Sequence, residues 1–308
     1  MERAVADLSV DLCGIKMANP TVLASGILGT TKPLLRRVAA AGAGAVTMKS
    51  VSLLPRGGHP NPTILSFDAG MINAVGYSNP GLEEALKEFA DLSDMPAPLF
   101  ASVVGQNADE FSRVAERMTK LPFAAIELPL SCPHTPGYGT LAGQSTPEAT
   151  FEITAAVRKV TDKPIFVKVS PNVPAIGEVA SAAERGGASA ITAVNSMGPG
   201  MLINIEARRP MLAFKMGGVT GAALRPVAVR CVYDIYKTVK IPIIGTGGVS
   251  CGAHAIEMMM AGATAVGVGS AVYDSGMKVF AQIAREMEEW MDRNGVEKVE
   301  ELIGAAHR

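Results

Sequence analysis

The chain has few of the residues that mark secreted proteins or nucleic-acid-binding proteins. Only four of its 308 residues are cysteine, and Cys13, Cys132, Cys231 and Cys251 form no C-x-x-C pair and have no histidine at zinc-ligand spacing. This pattern argues against a disulfide framework and against a bound metal ion. Twenty-eight basic and 29 acidic residues leave a formal charge of −1. No positive field therefore favours nucleic acid as a partner.

Long apolar runs are also missing. The first twelve residues include Glu2, Arg3, Asp7 and Asp11, which do not fit the apolar core of a signal peptide. Elsewhere glycine, proline or a charged residue interrupts each apolar run before the roughly 18 to 20 residues needed to span a bilayer. We therefore expect a soluble, cytoplasmic protein with no membrane partner.

Aliphatic residues and glycine dominate what is present. Hydrophobic residues make up 48% of the chain and charged residues 19%, which allows a large core. Aromatic residues are only 5%, while 32 glycines favour tight backbone turns near a small ligand. The length permits two domains of about 150 residues, or one (β/α)8 barrel of about 250 residues with insertions.

Eight β-rich runs, each followed by a helical pattern, decide between these possibilities. They occupy residues 20–25, 45–50, 98–104, 124–130, 164–170, 188–196, 241–245 and 264–270. The runs are nearly continuously apolar, which is typical of parallel strands buried on both faces. A Gly-Ala-x-Ala pattern at Gly42, Gly187 and Gly262 marks three places where a helix ends and a strand begins. The pattern predicts an α/β protein with a single (β/α)8 TIM barrel domain over residues 1–308.

Three segments lie outside this repeat. Residues 8–19 alternate around Gly14 and predict a small hairpin at one end of the barrel. Residues 51–81 follow the second barrel strand and residues 197–220 follow the sixth. We expect both to form long loops on the active face.

The ends of the barrel strands carry the candidate site, because (β/α)8 enzymes build their sites there. Lys49 and Lys168 end two strands and must point into a mostly apolar barrel mouth, so their ammonium groups should meet an anion. An ion pair with a loop carboxylate is the alternative for either lysine. Residues 245–248 and 267–270 are glycine-rich, and their backbone N–H groups at helix starts suit a phosphate.

Cys132 lies in a loop rich in proline and glycine after the fourth strand. A lone cysteine is more often a small buried apolar residue than a reactive thiol. Its position on the active face nevertheless favours a functional role.

A series of motifs follows the strand ends in order along the chain. In one-letter code they are NP (19–20), ASG (24–26), K (49), PRG (55–57), PNPT (60–63), GMINAVG (70–76), NPG (79–81), SCP (131–133), VKVSPNV (167–173), NS (195–196), GGVTG (217–221) and the two glycine pairs. This ordered set resembles the class 1 dihydroorotate dehydrogenases, flavin-dependent (β/α)8 enzymes, over almost the whole chain. It is most similar to the subclass, class 1B, whose catalytic subunit works with an iron–sulfur and FAD subunit.

The resemblance implies oxidation of a ring C–C bond, with FMN taking hydride from one carbon while a base removes a proton from its neighbour. It implies that Cys132 is the base, that Lys49 faces substrate and flavin, and that Lys168 stabilises negative charge on the reduced flavin. It implies substrate contacts from Lys49, Asn73, His134, Asn195 and Ser196. It implies FMN contacts from Ala24, Ser25, Gly26, Lys49, Ser50, Lys168, Gly221, Gly247, Gly248, Gly269 and Ser270. The expected partners are a small-molecule substrate, a second copy of the chain in a homodimer, and an iron–sulfur/FAD electron-transfer subunit.

The chain departs from the family pattern around the cysteine. The family reads Asn-x-Ser-Cys-Pro-Asn, whereas residues 129–134 read PLSCPH. Pro129 offers no side-chain hydrogen bond, and a neutral His134 offers one donor and one acceptor. Unmatched polar edges in a buried site cost roughly 1 to 3 kcal/mol each. We therefore expect orotate to bind more weakly than at a site with both asparagines.

Three functions are consistent with these residues. The first is dihydroorotate oxidation, as part of pyrimidine biosynthesis. The second is FMN-dependent oxidation or reduction of another unsaturated or dihydropyrimidine-like ring. The third is a lyase or isomerase that binds a phosphorylated substrate directly and uses Lys168 for Schiff-base chemistry.

Overall fold

The computed structural model describes residues 6–132, 135–137, 139 and 143–308. Within these ranges the strands are β1 (Val10–Leu12), β2 (Ile15–Met17), β3 (Thr21–Leu23), β4 (Ala45–Thr47), β5 (Ile64–Phe67), β6 (Gly70–Asn73), β7 (Leu99–Ser102), β8 (Ala125–Pro129), β9 (Ile165–Val169), β10 (Ala190–Ala193), β11 (Met197–Gly200), β12 (Ile203–Asn204), β13 (Arg209–Pro210), β14 (Gly217–Thr220), β15 (Ile243–Thr246) and β16 (Ala265–Val268). The α-helices in the same ranges are α1 (Lys32–Ala40), α2 (Leu82–Glu88), α3 (Ala108–Met118), α4 (Pro147–Arg158), α5 (Ile176–Arg185), α6 (Arg225–Tyr236), α7 (Gly252–Met260), α8 (Ala271–Ser275) and α9 (Val279–Asn294).

Eight parallel strands of the described chain close into a barrel. Their order around it is β3, β4, β7, β8, β9, β10, β15 and β16, with β16 pairing back to β3. Every residue of these strands is buried, because helices cover the outside of the barrel and side chains fill its interior. The predicted barrel is confirmed, and each of its strands overlaps one of the eight apolar runs.

Local sequence signals set the ends of several helices. The side chain of Asn107 caps α3 by accepting a hydrogen bond from the Glu110 N–H, and Thr146 caps α4 in the same way from the Ala149 N–H. After α1, α5 and α7 the chain turns towards the next strand through a left-handed glycine, at Gly42, Gly187 and Gly262. The repeated glycine pattern therefore marks helix ends, as predicted.

The predicted N-terminal hairpin is also confirmed. Strands β1 and β2 pair antiparallel around the turn at Cys13 and Gly14. The Cys13 thiol donates a hydrogen bond to the carbonyl of Ser189, which immediately precedes β10. The hairpin therefore lies at the end of the barrel where the strands begin, opposite the candidate site.

The two long connections on the active face build a sheet that the sequence pattern did not reveal. Strands β5 and β6 come from the first connection, β11 and β14 from the second, and the sheet order is β11-β14-β6-β5. A small cluster of Ile72, Ala74 and Leu212 forms its own core. The ring of His59 stacks on that of Phe214 at 3.9 Å between centroids, which ties the two connections together a second time.

Among the described residues, no helix combines the length and the apolar content that crossing a membrane requires.

Candidate active site

One large cavity opens at the carboxyl ends of the barrel strands. It has a volume of about 570 Å³, within the range of roughly 300 to 1,000 Å³ that is usual for small-molecule and cofactor sites. The strand ends form one wall. The four-stranded sheet forms another, with side chains that include Ile64, Leu65, Met71 and Asn73. A ligand in this cavity would be held between the barrel and the sheet.

The predicted site residues that the structure describes all line this cavity. They are Ala24, Ser25, Gly26, Lys49, Ser50, Asn73, Cys132, Lys168, Asn195, Ser196, Gly221, Gly247, Gly248, Gly269 and Ser270. Twelve of them lie at the ends of β3, β4, β9, β10, β15 and β16, because the parallel strands of a closed barrel present their carboxyl ends at one face. The other three belong to the sheet, to the turn after it and to the loop after β8. His134 lies outside the described residues.

The two lysines meet in the cavity. Lys168 is 5% exposed, and its Nζ donates a hydrogen bond to Ser25 Oγ at 3.2 Å. Burial lowers the pKa of Lys49 to about 8; Lys168 lowers this pKa as well, while Cys132 opposes the shift. No aspartate or glutamate is among the described residues that line the cavity, so the alternative of a lysine paired with a loop carboxylate is not observed there. The cavity is suited to an anion.

The candidate base is held by its own loop. Cys132 is 5% exposed, and its Sγ donates a hydrogen bond to Thr135 Oγ1 at 3.1 Å. The hydroxyl of the preceding Ser131 accepts a hydrogen bond from Asn195 Nδ2 at 3.0 Å. The loop after β8 is therefore attached to the end of β10, and this attachment limits where the thiol can lie.

Two amide side chains are oriented at the cavity wall. Asn195 Oδ1 accepts a hydrogen bond from the Ser196 N–H at 2.9 Å. Asn73, at the end of β6, donates from Nδ2 to the carbonyl of Gly218 in β14 at 3.3 Å. Because Asn73 belongs to the sheet and Asn195 to the barrel, a ligand that contacts both amides bridges the two walls.

Glycine backbone forms part of the cavity wall at Gly221, Gly247, Gly248 and Gly269. A Cβ placed on Gly269 would lie 3.7 Å from Ala24 Cβ, which is an ordinary van der Waals contact, so the protein itself does not crowd this glycine. Gly248 has a φ of +71°, and a Cβ there would lie 2.6 Å from Arg225 Cβ. Only glycine fits this position without displacing its neighbours. Exposed N–H groups on bare backbone suit a phosphate.

One part of the phosphate prediction needs correction. Ser270 immediately precedes α8, and Gly221 immediately precedes the 3-10 turn Ala222–Leu224 that leads into α6. Gly248 does not start a helix, because three residues separate it from α7. Its left-handed turn redirects the chain first. The glycine-rich segment after β15 therefore contributes a turn rather than a helix N-terminus.

Several residues of the site were not selected from the sequence. Thr220 at the end of β14 lines the cavity, as do Leu65 and Met71 from the sheet. Thr135 is not part of this lining, but it accepts the hydrogen bond of the Cys132 thiol. The motif at residues 70–76 contains Met71, but only Asn73 was selected from it. Strand pairing within the connections was the missing information.

Comparison with known proteins agrees with this geometry. The dihydroorotate dehydrogenase family model matches residues 7–291. A protein of Methanothermobacter thermautotrophicus named dihydroorotate dehydrogenase B (NAD(+)), catalytic subunit, is 46% identical over 301 residues, 97% of this chain and 98% of that protein. Proteins with the same name from Methanosarcina mazei and Pyrococcus abyssi are 45% and 43% identical, each over 97% of this chain and over 95% and 99% of their own lengths.

A solved structure shows the same fold. The crystal structure of DHODH in complex with ferulenol from Eimeria tenella superposes with a TM-score of 0.85 at 23% identity, covering 100% of this chain and 90% of that chain. The family itself is identified by the family model, which matches most of the sequence, and by relatives that are more than 40% identical along nearly their whole length. The chain belongs to the dihydroorotate dehydrogenase family, whose members are oxidoreductases acting on CH–CH groups.

Proposed function

We propose that this chain oxidises dihydroorotate to orotate in pyrimidine biosynthesis, with FMN as its bound cofactor. The observation that carries the proposal is the cavity itself, which joins two lysines, a buried thiol and a bare glycine backbone in a chain of this family. Because the family acts on CH–CH groups by oxidation, the lyase or isomerase alternative with Lys168 as a Schiff base is wrong.

The residues present fit a flavin mononucleotide. The backbone at Gly221, Gly248 and Gly269 lines the cavity without side chains and can offer N–H groups to a phosphate. On the opposite side, Lys168 supplies a buried cation that favours negative charge on an adjacent ring system. When bound, FMN would accept the hydride that leaves a C–H bond of the substrate. The family is flavin-dependent, and FMN in particular is our proposal.

Cys132 Sγ has the chemistry to remove the substrate proton. A thiolate is the basic form of cysteine, and it is the form that accepts a proton. Lys49 is close enough for its charge to interact with Cys132. Thr135 Oγ1 accepts the thiol hydrogen bond and keeps Sγ in a fixed position before reaction. Proton removal by a positioned base typically contributes about 10² to 10⁴ in rate.

The remaining polar side chains serve the substrate. The Lys49 ammonium pairs with the carboxylate of dihydroorotate, while Asn73 from the sheet and Asn195 with Ser196 from the barrel bond its ring and carboxylate. His134 is proposed to donate to a ring carbonyl in place of an asparagine. Contacts from two walls orient the reacting carbon towards both the base and the flavin.

A second candidate substrate is favoured by one observation. Pro129, at the end of β8, lines the cavity and presents a ring without hydrogen-bonding groups. A less polar ring, or a related dihydropyrimidine, would leave fewer groups unmatched against this surface.

The electrons have to leave the cofactor again. The curated relatives are named as the catalytic subunit of an NAD(+)-linked enzyme, which supports a separate electron-transfer subunit as partner. We propose that this partner is an iron–sulfur/FAD protein, that the chain forms a homodimer, and that the enzyme works in the cytoplasm. Sedimentation of the purified chain alone tests the homodimer.

The deciding experiment starts with protein purified from cells supplied with riboflavin. Acid release and chromatography should recover FMN, and anaerobic dihydroorotate should bleach the flavin absorbance. Failure to recover any flavin would overturn both candidate functions. FMN that is bleached by another cyclic substrate and not by dihydroorotate would favour the second candidate.

A further inference from the structure

A carboxyl group lies inside the barrel, where the proposed reaction does not use it. Glu127, in β8, is 4% exposed. Its Oε1 accepts a hydrogen bond from Ser102 Oγ in the adjacent β7 at 3.4 Å, and its Oε2 accepts one from Thr192 Oγ1 in β10 at 3.3 Å. Since β9 separates β8 from β10, the carboxyl group reaches across the interior of the barrel.

The surroundings of this carboxyl group make its burial costly in free energy. The rings of Phe100 and Phe166 pack edge to face nearby on the flanking strands, with centroids 5.0 Å apart. Within the described ranges no lysine, arginine or histidine nitrogen forms an ion pair with Glu127, and its partners there are two neutral hydroxyls. A buried ionisable group without an ionic partner costs several kcal/mol, and an apolar side chain would pack this interior better. Its presence points to a role beyond stability.

Ser102 connects the carboxyl group to the cavity. Its Oγ lies 2.8 Å from Ser50 Oγ, and Ser50 lines the cavity directly after Lys49. Ser50, Ser102 and Glu127 therefore form a continuous hydrogen-bonded chain from the cavity to the barrel interior. Each hydroxyl both donates and accepts, so every member of the chain can pass a proton on.

The other titratable groups facing the barrel interior are few. Phe166 in β9 pairs with Glu127, and Lys168 lies two residues further along the same strand. Lys49 follows the end of β4. Strands β3, β7, β10, β15 and β16 contain no titratable side chain. No carboxylate or histidine is found among the described cavity residues. Among the described residues, Glu127 is therefore the carboxyl group that a chain of hydrogen bonds connects to the cavity.

We propose that Glu127 is the end of a buried proton relay that exchanges a proton with the cavity through Ser102 and Ser50. The relay rests on the proposed function, because oxidation of a CH–CH group to C=C removes a hydride and a proton, and the proton is released in this cavity. Glu127 touches neither substrate nor cofactor and acts through the two serines.

The transfer is balanced at each atom. Ser50 Oγ takes a proton from the cavity and passes its own proton to Ser102 Oγ, which in turn passes its proton to Glu127 Oε1. Both hydroxyls end as they began, one O–H bond has formed at Glu127, and no electrons move. The carboxylate becomes neutral, so one negative charge disappears below the cavity as the electron pair arrives within it. The reverse transfer returns the proton when the electrons leave.

The test uses flavin-loaded protein reduced by light and a sacrificial electron donor, with a dye that reports proton uptake. Glu127→Gln keeps the size of the side chain and removes its ability to take up a proton. We expect this variant to take up one proton fewer per flavin than the unmodified protein. We also expect it to lose, from the reduced-minus-oxidised infrared spectrum, the carbonyl band of a protonated carboxyl group. An unchanged proton count together with an unchanged carboxyl band would overturn the relay.

Two hydroxyl variants provide a second test should Glu127→Gln fail to fold. Ser102→Ala breaks the chain, whereas Thr192→Val removes a bond of similar length from the other carboxylate oxygen without touching the cavity. We expect slower proton uptake in Ser102→Ala and normal kinetics in Thr192→Val. Equal kinetics in both variants would contradict the relay.

The relay and the proposed substrate fail in distinguishable ways. The sacrificial donor supplies the electrons in this experiment, so dihydroorotate is not needed for the measurement. A protein that binds flavin but does not react with dihydroorotate would overturn the proposed substrate and would still give the proton count that decides the relay. Protein that binds no flavin overturns both.

Discussion

The two sides of the cavity are built from different material. On one side Lys49, Cys132 and Lys168 present side chains from the ends of β4, β8 and β9. On the other side Gly248 and Gly269 present backbone. The comparison shows two ways to make a site. The chemistry of the first side is lost by shortening a side chain, and the shape of the second is lost by adding one.

The largest expected effect lies on the side-chain wall. Cys132→Ala should slow reduction of the flavin by substrate by about 10² to 10⁴, because the base is removed. The flavin itself should stay bound, since its phosphate contacts lie on the backbone wall. Stopped-flow absorbance measures the rate, and Cys251→Ala is the control because Cys251 lies outside the described cavity lining. Equal rates for Cys132→Ala and unmodified protein across pH would refute the assignment.

The backbone wall should respond to the opposite change. Gly248→Ala places an alanine at a left-handed φ, which costs about 1 to 2 kcal/mol of stability. It also crowds the new Cβ against its neighbours, which costs about 1 to 3 kcal/mol more. We expect the free energy of unfolding to fall by the sum of these costs and flavin content to fall with it. Gly295→Ala is the matched control: its φ is +68°, and no atom lies within 4 Å of the added Cβ. Similar losses in both variants, measured by urea titration, would show that crowding at Gly248 is unimportant.

A smaller effect, on orotate affinity, is expected at Pro129 and His134, where the chain departs from the family pattern. Replacing Pro129 and His134 together by asparagine should tighten orotate binding by at least ~10-fold, or about 1.4 kcal/mol. The physical reason is that two amides can match polar edges of the ring that proline cannot. Flavin spectral titration with orotate measures the affinity. Tight binding by the unmodified protein would contradict this expectation, and no response in the double variant would favour another ring substrate.

The smallest expected effect is a change of orotate binding with pH that depends on Lys49. Lys49 carries its charge below its pKa, and burial lowers this pKa to about 8. Raising the pH from 7 to 9 should therefore leave about one-tenth of the Lys49 side chains charged. Orotate, an anion, should bind up to about 10-fold more weakly at the higher pH. Lys49→Arg keeps its charge over this range and should bind with little pH dependence. A flat profile in the unmodified protein would remove Lys49 from anion binding.

Much of the barrel and most of its rim could be predicted from the sequence. Fully buried parallel strands need apolar runs, and the turn out of a helix favours glycine. The residue types alone therefore predict a strand at Ile165–Val169 and a helix end at Gly187. Barrel closure then brings strand ends together. For this reason Lys49, Lys168 and Asn195 could be assigned to one site although they lie far apart in the chain.

The tertiary structure alone decided the rest. Strands β6 and β14 pair Asn73 with Gly218, but their short and partly exposed sequences specify no partner. Their pairing follows from where the barrel places the two connections. The same holds for Glu127, which reads in the sequence as one polar residue within an apolar strand. Its direction depends on the register of β8 against β7 and β9, and only that register shows that its carboxyl group enters the barrel and meets Ser102.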